Sequence, residues 1–341
     1  MRAMILPESV SLSDNPAPLR MTNLPVPQPG PGEVLLRVKA CGVCHTELDE
    51  IEGRLPPRQL PVVLGHQVVG IVEARGQGVD STEVGQRVGV AWIYSACGEC
   101  EWCRSGQENL CPQFFGTGRD AAGGYAEYMV ARAAFVHPIP KRFTDAEAAP
   151  LLCAGAIGYR SLRLAGIQDG DALGLTGFGA SAHLVLKMAQ HRYPHSPVFV
   201  FSRTESEQAF ARELGAAWAG NTEDRSPVPL RAVIDTTPAW GPVVHALRNL
   251  QPGGRLVINA IRKERRDRDA LLELDYATDL WSEKEIKSIA NVTRQDVREF
   301  LALAAEMSIT PAAETYALEE ANRALLELKT RKIRGAKVLL I

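Results

Sequence analysis

Four of the seven cysteines lie within fifteen residues of one another, with the spacing Cys97-x2-Cys100-x2-Cys103-x7-Cys111. Four thiolates fill every position of a tetrahedral Zn²⁺ ion, so this spacing predicts a closed zinc site that stabilises the fold. Disulfides are disfavoured because loops this short would be strained. The N-terminal residues also lack the basic and apolar regions of an export signal, which predicts a reducing, cytoplasmic location. Unligated cysteines in a loop are the remaining alternative.

Three further residues could form a second metal site with one open position. Cys44 follows an apolar run, His66 comes 22 residues later, and Cys153 lies far along the chain. Two thiolates and one neutral imidazole would leave the fourth position of a zinc ion free for water or substrate. Taken singly each residue is weak evidence, since His66 could be a hydrogen-bonded loop residue and Cys153 a core thiol.

The elements that must position these residues change in pattern along the chain. A strand-like apolar run over 33–38 precedes Cys44. From about residue 168 onward, short apolar runs alternate with amphipathic segments, which predicts a doubly wound parallel sheet in an α/β domain. The predicted strands cover 171–175, 198–201, 231–235 and 255–260, the predicted helices cover 182–191, 205–214 and 241–250, and a turn lies at 252–254.

A Gly-rich turn separates the first predicted strand of this domain from its helix. It contains Gly174, Gly177, Phe178 and Gly179, and the pattern read from Gly177 is G-x-G-x-x-A. We predict that these residues bind the pyrophosphate of a dinucleotide. Small residues let the backbone approach the phosphates, and the helix N-terminus stabilises their charge. A purely structural turn between strand and helix is the alternative.

The end of the second predicted strand indicates which dinucleotide is bound. An acidic residue at this point would bind the ribose hydroxyls of NAD, but the sequence here reads Ser202-Arg203. Ser202 can donate a hydrogen bond to a 2'-phosphate, and Arg203 can pair with its charge. We therefore predict NADP, with NAD as the alternative, since Arg203 could also be an ordinary surface residue.

Together these motifs resemble the zinc-dependent medium-chain alcohol dehydrogenases of the microbial, tetrameric type. The segments CGVCHT, GHQVVG, CxxCxxCx7C and LLCAGAIGY follow one another in the family's order, and the resemblance extends to the closing GAKVLLI. It implies a GroES-like β-barrel catalytic domain over 1–151 and 290–341, and a Rossmann dinucleotide-binding domain over 152–289. It also implies two zinc ions per chain, with Cys44, His66 and Cys153 holding the catalytic one. The expected reaction is reversible hydride transfer between a small alcohol and NADP or NAD, in a homotetramer.

The resemblance also implies roles for residues near the catalytic zinc. Thr46 matches the hydroxyl that takes the substrate proton, and a helix N-cap at the same position would be compatible with that role. His45 matches a position that contacts cofactor phosphate or relays the proton, and Asp49 stands where some relatives carry a relay histidine. Gln67 replaces a glutamate of most relatives. This replacement predicts a less negative surrounding and a more Lewis-acidic zinc.

Three more positions match the family outside the metal ligands. Trp92 matches a pocket aromatic and Tyr94 is a second candidate, although both could be packing residues. Arg334 matches a basic residue that reaches the cofactor phosphates, and its alternative is a solvated C-terminal arginine.

The charge of the chain limits its partners. Thirty-eight Lys and Arg residues against 40 Asp and Glu residues leave a net charge of -2, which predicts no nucleic-acid or membrane partner. The run 262–269 mixes signs and predicts a solvated loop. Two alternatives to the dehydrogenase are a zinc-free quinone or enone reductase of the same fold and a zinc-ribbon binding protein. The cysteines oppose the first, and the neutral charge and long α/β pattern oppose the second.

Overall fold

The computed structural model describes residues 1–330 and 335–341. The strands are β1 (Arg2–Leu6), β2 (Arg20–Asn23), β3 (Glu33–Val43), β4 (Val62–Val63), β5 (Val68–Arg75), β6 (Arg87–Val90), β7 (Ile93–Ser95), β8 (Phe115–Gly116), β9 (Tyr128–Arg132), β10 (Val136–Pro138), β11 (Leu173–Thr176), β12 (Val198–Phe201), β13 (Trp218–Gly220), β14 (Leu230–Asp235), β15 (Leu250–Ile258), β16 (Glu285–Ser288), β17 (Ala313–Ala317) and β18 (Ala336–Leu340). The helices are α1 (His45–Ile51), α2 (Glu101–Arg104), α3 (Asp145–Pro150), α4 (Ala156–Ala165), α5 (Ala180–Arg192), α6 (Glu205–Glu213), α7 (Gly241–Asn249), α8 (Arg294–Glu306) and α9 (Ala321–Lys329).

The chain divides into two compact units. The first unit comprises Met1–Ala156 together with Asn291–Ile341, and the second comprises Ile157–Ala290. The second unit is therefore inserted into the sequence of the first. Of the helices that the structure describes, none has both the length and the apolar character needed to span a bilayer.

The long strand β3 organises the first unit. It pairs antiparallel with β5, β9 and β18, and the main sheet of the unit has the strand order β10-β6-β5-β3-β18-β17. Successive side chains of a strand point to opposite faces, and Val34, Leu36 and Val38 point into one buried core. The strand ends at Val43, so it delivers Cys44 directly to the start of α1.

The second unit is a parallel sheet with the order β13-β12-β11-β14-β15-β16. In the unit's own chain order this is 3-2-1-4-5-6, the arrangement of the Rossmann fold. The predicted doubly wound parallel sheet is confirmed. The predicted turn at 252–254 is wrong, because these residues lie within β15, where Gly253 has φ +67° and the register with β14 shifts.

The charged run over 262–269 is exposed at Arg265, Arg266, Arg268 and Asp269, as the predicted solvated loop requires, but Lys263 is an exception. Lys263 is largely buried and forms an ion pair with the fully buried Asp235 at the end of β14. Its ammonium group also donates to the carbonyl oxygens of Thr237, at 2.9 Å, and Ala239, at 2.8 Å. A buried carboxylate requires a compensating charge, and Lys263 supplies it.

Candidate active site

Cys44, His66 and Cys153 lie together in the first unit although they are far apart in sequence. Cys44 caps the N-terminus of α1, His66 lies between β4 and β5, and Cys153 lies in the single wide helical turn Leu151–Gly155 after α3. Their possible ligand atoms all lie within 4.8 Å of one another. Two sulfurs and one imidazole nitrogen at this spacing fit a zinc ion with a fourth position open.

A single carboxylate orients two of these three residues. Glu47 lies in the first turn of α1 and is fully buried. Its Oε1 accepts a hydrogen bond of 2.6 Å from Nδ1 of His66, and its Oε2 accepts one of 2.8 Å from the backbone N–H of Cys44. With the proton on Nδ1, the other ring nitrogen of His66 is left as a metal ligand, which is the usual function of a carboxylate behind a histidine.

Neighbouring groups shift the ionisation of all three residues. The hydrogen bond from Cys153 and the charge of His66 hold the pKa of Cys44 well below its usual range, against the effect of burial. The same bond to Cys44, together with burial, raises the pKa of Cys153. Burial favours a neutral His66, but the charges of Glu47 and Cys44 and the hydrogen bonds to both residues together outweigh it and raise the pKa of the imidazole. The lowered pKa favours the thiolate form of Cys44, which is the form that binds zinc.

Glu50 is a buried carboxyl group near the site that the sequence reasoning missed. It is 1% exposed, and within the described part of the chain neither of its carboxyl oxygens has a hydrogen-bond partner. Burial and the charge of Glu47 raise the pKa of Glu50 well above its usual value, while Arg119 acts in the opposite direction. The spacing of Glu47 and Glu50, one helical turn apart, was the available signal.

Gln67 is buried, and its side chain fills the space beside Gly42, where an added Cβ would lie 2.6 Å from its Oε1. Two carboxyl groups close to the metal-ligand group are also buried: Glu47 bonds to His66, and Glu50 interacts electrostatically with His66 and Cys44. The more Lewis-acidic zinc stays a prediction.

The candidate proton-transfer residues all lie on α1. The hydroxyl oxygen of Thr46 is 3.7 Å from Sγ of Cys44, and Thr46 is buried. The N-cap of α1 is Cys44, so the expected additional role of Thr46 as N-cap is wrong. His45 is exposed. Asp49 is buried and accepts a hydrogen bond of 2.6 Å from Nε of Arg54, so its carboxylate is part of an ion pair.

The two pocket candidates lie in different surroundings. The ring of Trp92 meets the ring of His66 edge-on with 6.5 Å between centroids, and it packs against Phe114 at 5.5 Å. Tyr94 instead donates a hydrogen bond of 3.3 Å to Glu33, and burial together with this carboxylate raises the pKa of Tyr94 to about 12. Trp92 is therefore the candidate that faces the metal-ligand group.

The four clustered cysteines also come together as predicted by their spacing. Their sulfurs lie within 4.8 Å of one another. Backbone N–H groups donate to these sulfurs, from Cys97 to Cys111 at 3.4 Å and from Cys100 to Cys97 at 3.3 Å. Hydrogen bonds from the backbone of Glu99 and Cys100 lower the pKa of Cys97 to about 6. All seven cysteines of the chain are free thiols, and this group of four fits a closed tetrahedral zinc site.

The Gly-rich turn of the second unit lies between β11 and α5. Gly177 has φ +77°, a backbone conformation that favours glycine, and Gly179 is the N-cap of α5 with open space where a Cβ would lie. Gly174 lies inside β11, where a Cβ would be 2.9 Å from the side chain of Val233, so this glycine allows two strands to pack closely. Phe178 is buried.

The end of β12 differs from the sequence prediction. Ser202 is buried and its hydroxyl donates to the carboxylate of Glu207, in the first turn of α6. A carboxylate is therefore present at this strand end, and the premise that none is in place is wrong. Thr204 is the N-cap of α6, and the first turn of this helix places the side chain of Glu207 next to Ser202. Arg203 is exposed. Arg334 lies outside the described residues.

Comparisons with known proteins agree with this geometry. The alcohol dehydrogenase GroES-like domain family matches residues 30–141. The chain is 43% identical to a probable alcohol dehydrogenase, AdhA, of Mycobacterium tuberculosis, over 95% of this chain and 93% of that protein. It is 35% identical to an alcohol dehydrogenase of Geobacillus stearothermophilus, over 90% and 91%. The acetophenone reductase of Geotrichum candidum in complex with NAD has the same fold, with a TM-score of 0.84, 26% identity and coverage of 100% and 97%.

A GroES-like domain joined to a Rossmann domain, with a thiolate and imidazole group that fits zinc, defines an NAD(P)-dependent oxidoreductase. The chain belongs to the zinc-type medium-chain alcohol dehydrogenase family.

Proposed function

We propose that this enzyme interconverts a small alcohol and its aldehyde or ketone, with zinc held by Cys44, His66 and Cys153. The observation that carries the proposal is the arrangement of these three residues around one point, with Glu47 fixing the tautomer of His66. When bound, zinc polarises the oxygen of the substrate, and the nicotinamide of NAD(P) exchanges the hydride.

The residues of α1 would handle the proton of the alcohol. The hydroxyl of Thr46, beside Cys44, accepts it, and the exposed His45 passes it to solvent. Asp49 stands where a relay group is expected, and its carboxylate is held in an ion pair with Arg54. Gln67 stays a neutral neighbour of the metal ligands. Trp92 lines the substrate side of His66, and Tyr94, whose hydroxyl bonds to Glu33, contributes only through packing.

We propose that the first unit, 1–151 with 290–341 in the predicted boundaries, is the catalytic domain and that 152–289 binds the dinucleotide. The N-terminus of α5, with Gly177, Phe178 and Gly179 before it, would hold the pyrophosphate. Gly174 would contribute to dinucleotide binding only indirectly, by allowing β11 and β14 to pack closely. Arg334 stays a proposed phosphate ligand.

The proposed dinucleotide is NADP, bound at its 2'-phosphate by the exposed Arg203. The alternative, NAD, is favoured by Glu207, because its carboxylate occupies the hydroxyl of Ser202 and would repel a phosphate. Measuring kcat/KM with NADP and with NAD, in the native enzyme and in Arg203→Gln, distinguishes the two cofactor assignments. If Arg203 binds the phosphate, the variant loses about 10-fold to 100-fold with NADP and little with NAD. A clear preference of the native enzyme for NAD would contradict the proposal.

We also propose a second zinc ion, bound by Cys97, Cys100, Cys103 and Cys111, that stabilises the fold. The free state of all seven cysteines supports a reducing location such as the cytoplasm.

We propose a homotetramer as the assembly. The support is strand β16, which lies at the edge of its sheet and is exposed along its length. Exposed apolar side chains lie on it and before it, namely Leu272, Tyr276, Trp281 and Ile286. Edge strands with such neighbours are typical of surfaces that pair with another chain.

The function is tested by absorbance at 340 nm with a panel of alcohols, aldehydes and ketones and each dinucleotide. We expect turnover that is lost after dialysis against a zinc chelator and restored by added Zn²⁺. Turnover that survives complete zinc removal would favour the zinc-free quinone or enone reductase. Zinc without any turnover would favour a binding protein.

A further inference from the structure

An arginine side chain stacks on the aromatic ring that faces the metal-ligand group. The guanidinium carbon of Arg119 lies 5.3 Å from the ring centroid of Trp92 and 5.9 Å from that of Phe114. Trp92 in turn lies 6.5 Å from the imidazole of His66. These two steps place a cationic group within about 12 Å of His66. A single aromatic ring, that of Trp92, therefore separates Arg119 from the metal-ligand group.

Part of this guanidinium is free to bind a ligand. Nε and Nη2 of Arg119 donate to Oδ1 and Oδ2 of Asp120, at 3.0 and 2.6 Å, so Asp120 occupies the side edge of the fork. A guanidinium has five N–H groups in a fixed plane. The end edge, formed by Nη1 and the second N–H of Nη2, makes no hydrogen bond within the described part of the chain. This edge has the geometry for two parallel bonds to a carboxylate.

Arg119 shares its ion-pair partner, Asp120, with a second arginine. Asp120 has a fully buried side chain and is shared by two arginines, because Nε of Arg58 also lies 3.1 Å from its Oδ1. Its Oδ2 also accepts a hydrogen bond of 2.7 Å from the backbone N–H of Gly116. One carboxylate therefore balances two guanidinium groups. Arg58 is half exposed and stacks on Phe115, whereas Arg119 is mostly enclosed and lies over Trp92. Arg119, whose charge also acts on the buried carboxyl group of Glu50, is the one of these two guanidinium groups that lies over the ring facing the metal-ligand group.

We propose that Arg119 binds a carboxylate of the substrate, so that the preferred substrates are alcohols and aldehydes that carry a carboxylate several bonds from the reacting carbon. This rests on the proposed function of the Cys44, His66 and Cys153 group. Trp92 packs against the part of the substrate that separates the two ends. An arginine in a partly enclosed position is well suited to binding a carboxylate, because its guanidinium is weakly hydrated and presents N–H groups in a fixed plane that matches the two carboxylate oxygens.

The test compares two matched aldehydes, 4-carboxybenzaldehyde and methyl 4-formylbenzoate, which differ only in the charge at the far end. We expect the native enzyme to have a kcat/KM at least tenfold higher for the carboxylate. In Arg119→Gln, kcat/KM for the carboxylate falls about 10-fold to 100-fold, mainly through KM, and the value for the ester changes little. Arg119→Lys keeps the charge and restores part of the preference.

Arg58→Gln is the matched control. It removes a cation from the same Asp120 without changing the side chain that lies over Trp92. We expect it to retain the preference for the carboxylate, whereas a loss as large as in Arg119→Gln would show that overall charge, and not contact, causes the effect and would overturn the proposal.

Binding of terephthalate, measured by calorimetry, gives a second readout that does not depend on turnover. Its Kd should rise in Arg119→Gln. If the native enzyme reduces both aldehydes equally well, Arg119 serves only to pack on the rings and this inference fails while the proposed function stands. If the native enzyme reduces no aldehyde or ketone, the proposed function itself fails.

Discussion

Replacing Glu47 by Gln should weaken zinc binding at Cys44, His66 and Cys153. The carboxylate accepts hydrogen bonds of 2.6 Å from His66 and 2.8 Å from the backbone of Cys44. Glutamine offers one carbonyl oxygen and no charge, so it can replace at most one of the two bonds. A hydrogen bond to a charged group contributes about 1.5–3 kcal/mol, and loss of a partner behind a metal ligand typically weakens metal binding about 10-fold to 100-fold. We expect the zinc Kd of this site to rise by that factor.

The assay is a competition for zinc between the protein and a coloured chelator. Zinc release is followed by absorbance, and we expect two phases, one for each zinc site. The phase assigned to the four-cysteine group should be unchanged in Glu47→Gln, and the other should shift. Glu50→Gln is the control, because it removes a buried carboxyl of the same helix that bonds to no ligand. If Glu47→Gln releases zinc as the native protein does, the reasoning is refuted. If Glu50→Gln shifts the phase equally, negative charge and not hydrogen bonding sets the affinity.

Two further predictions concern stability. Cys103→Ser should remove one zinc ion and lower Tm by about 10 °C in calorimetry, since a structural zinc contributes folding energy directly; an unchanged Tm with full zinc content would contradict this. Burial, with the charges of Arg298 and Arg294 adding to it, lowers the pKa of His137 to about 4. Between pH 6.5 and 4 the unfolded chain binds a proton that the native protein does not. The free energy of unfolding therefore decreases as the pH is lowered, by about 3 kcal/mol across this window. His137→Gln should flatten this fall in denaturant titrations, whereas the exposed His195→Gln should not; equal slopes in all three proteins would argue against it.

Runs of apolar residues in the sequence predict the strands whose side chains are buried on both faces. The strand Val198–Phe201 is predicted to the residue, because four consecutive apolar side chains are buried on both faces of a parallel sheet. The strand predicted over 33–38 continues to Val43, because its last residues pair with β18 and β5, which are distant in sequence. Pairing of this kind leaves no local signal.

The metal-ligand groups also differ in how far local sequence predicts them. The four-cysteine group follows from spacing alone, whereas Cys44, His66 and Cys153 are joined only through the resemblance to a family, since no local pattern connects them. Contacts between side chains on neighbouring turns were missed, such as Ser202 with Glu207. The pairing of Lys263 with Asp235 was missed as well, because a run of mixed charges gives no indication that one of its members is buried.

The most direct test of the central claim is the number of zinc ions per chain, measured by mass spectrometry of the metal in native enzyme and in Cys153→Ser. We predict two ions in the native enzyme and one in the variant, with alcohol-dependent reduction of the dinucleotide lost in the variant. A variant that keeps both ions and full activity, or a native enzyme that turns over alcohols without zinc, would contradict the assignment.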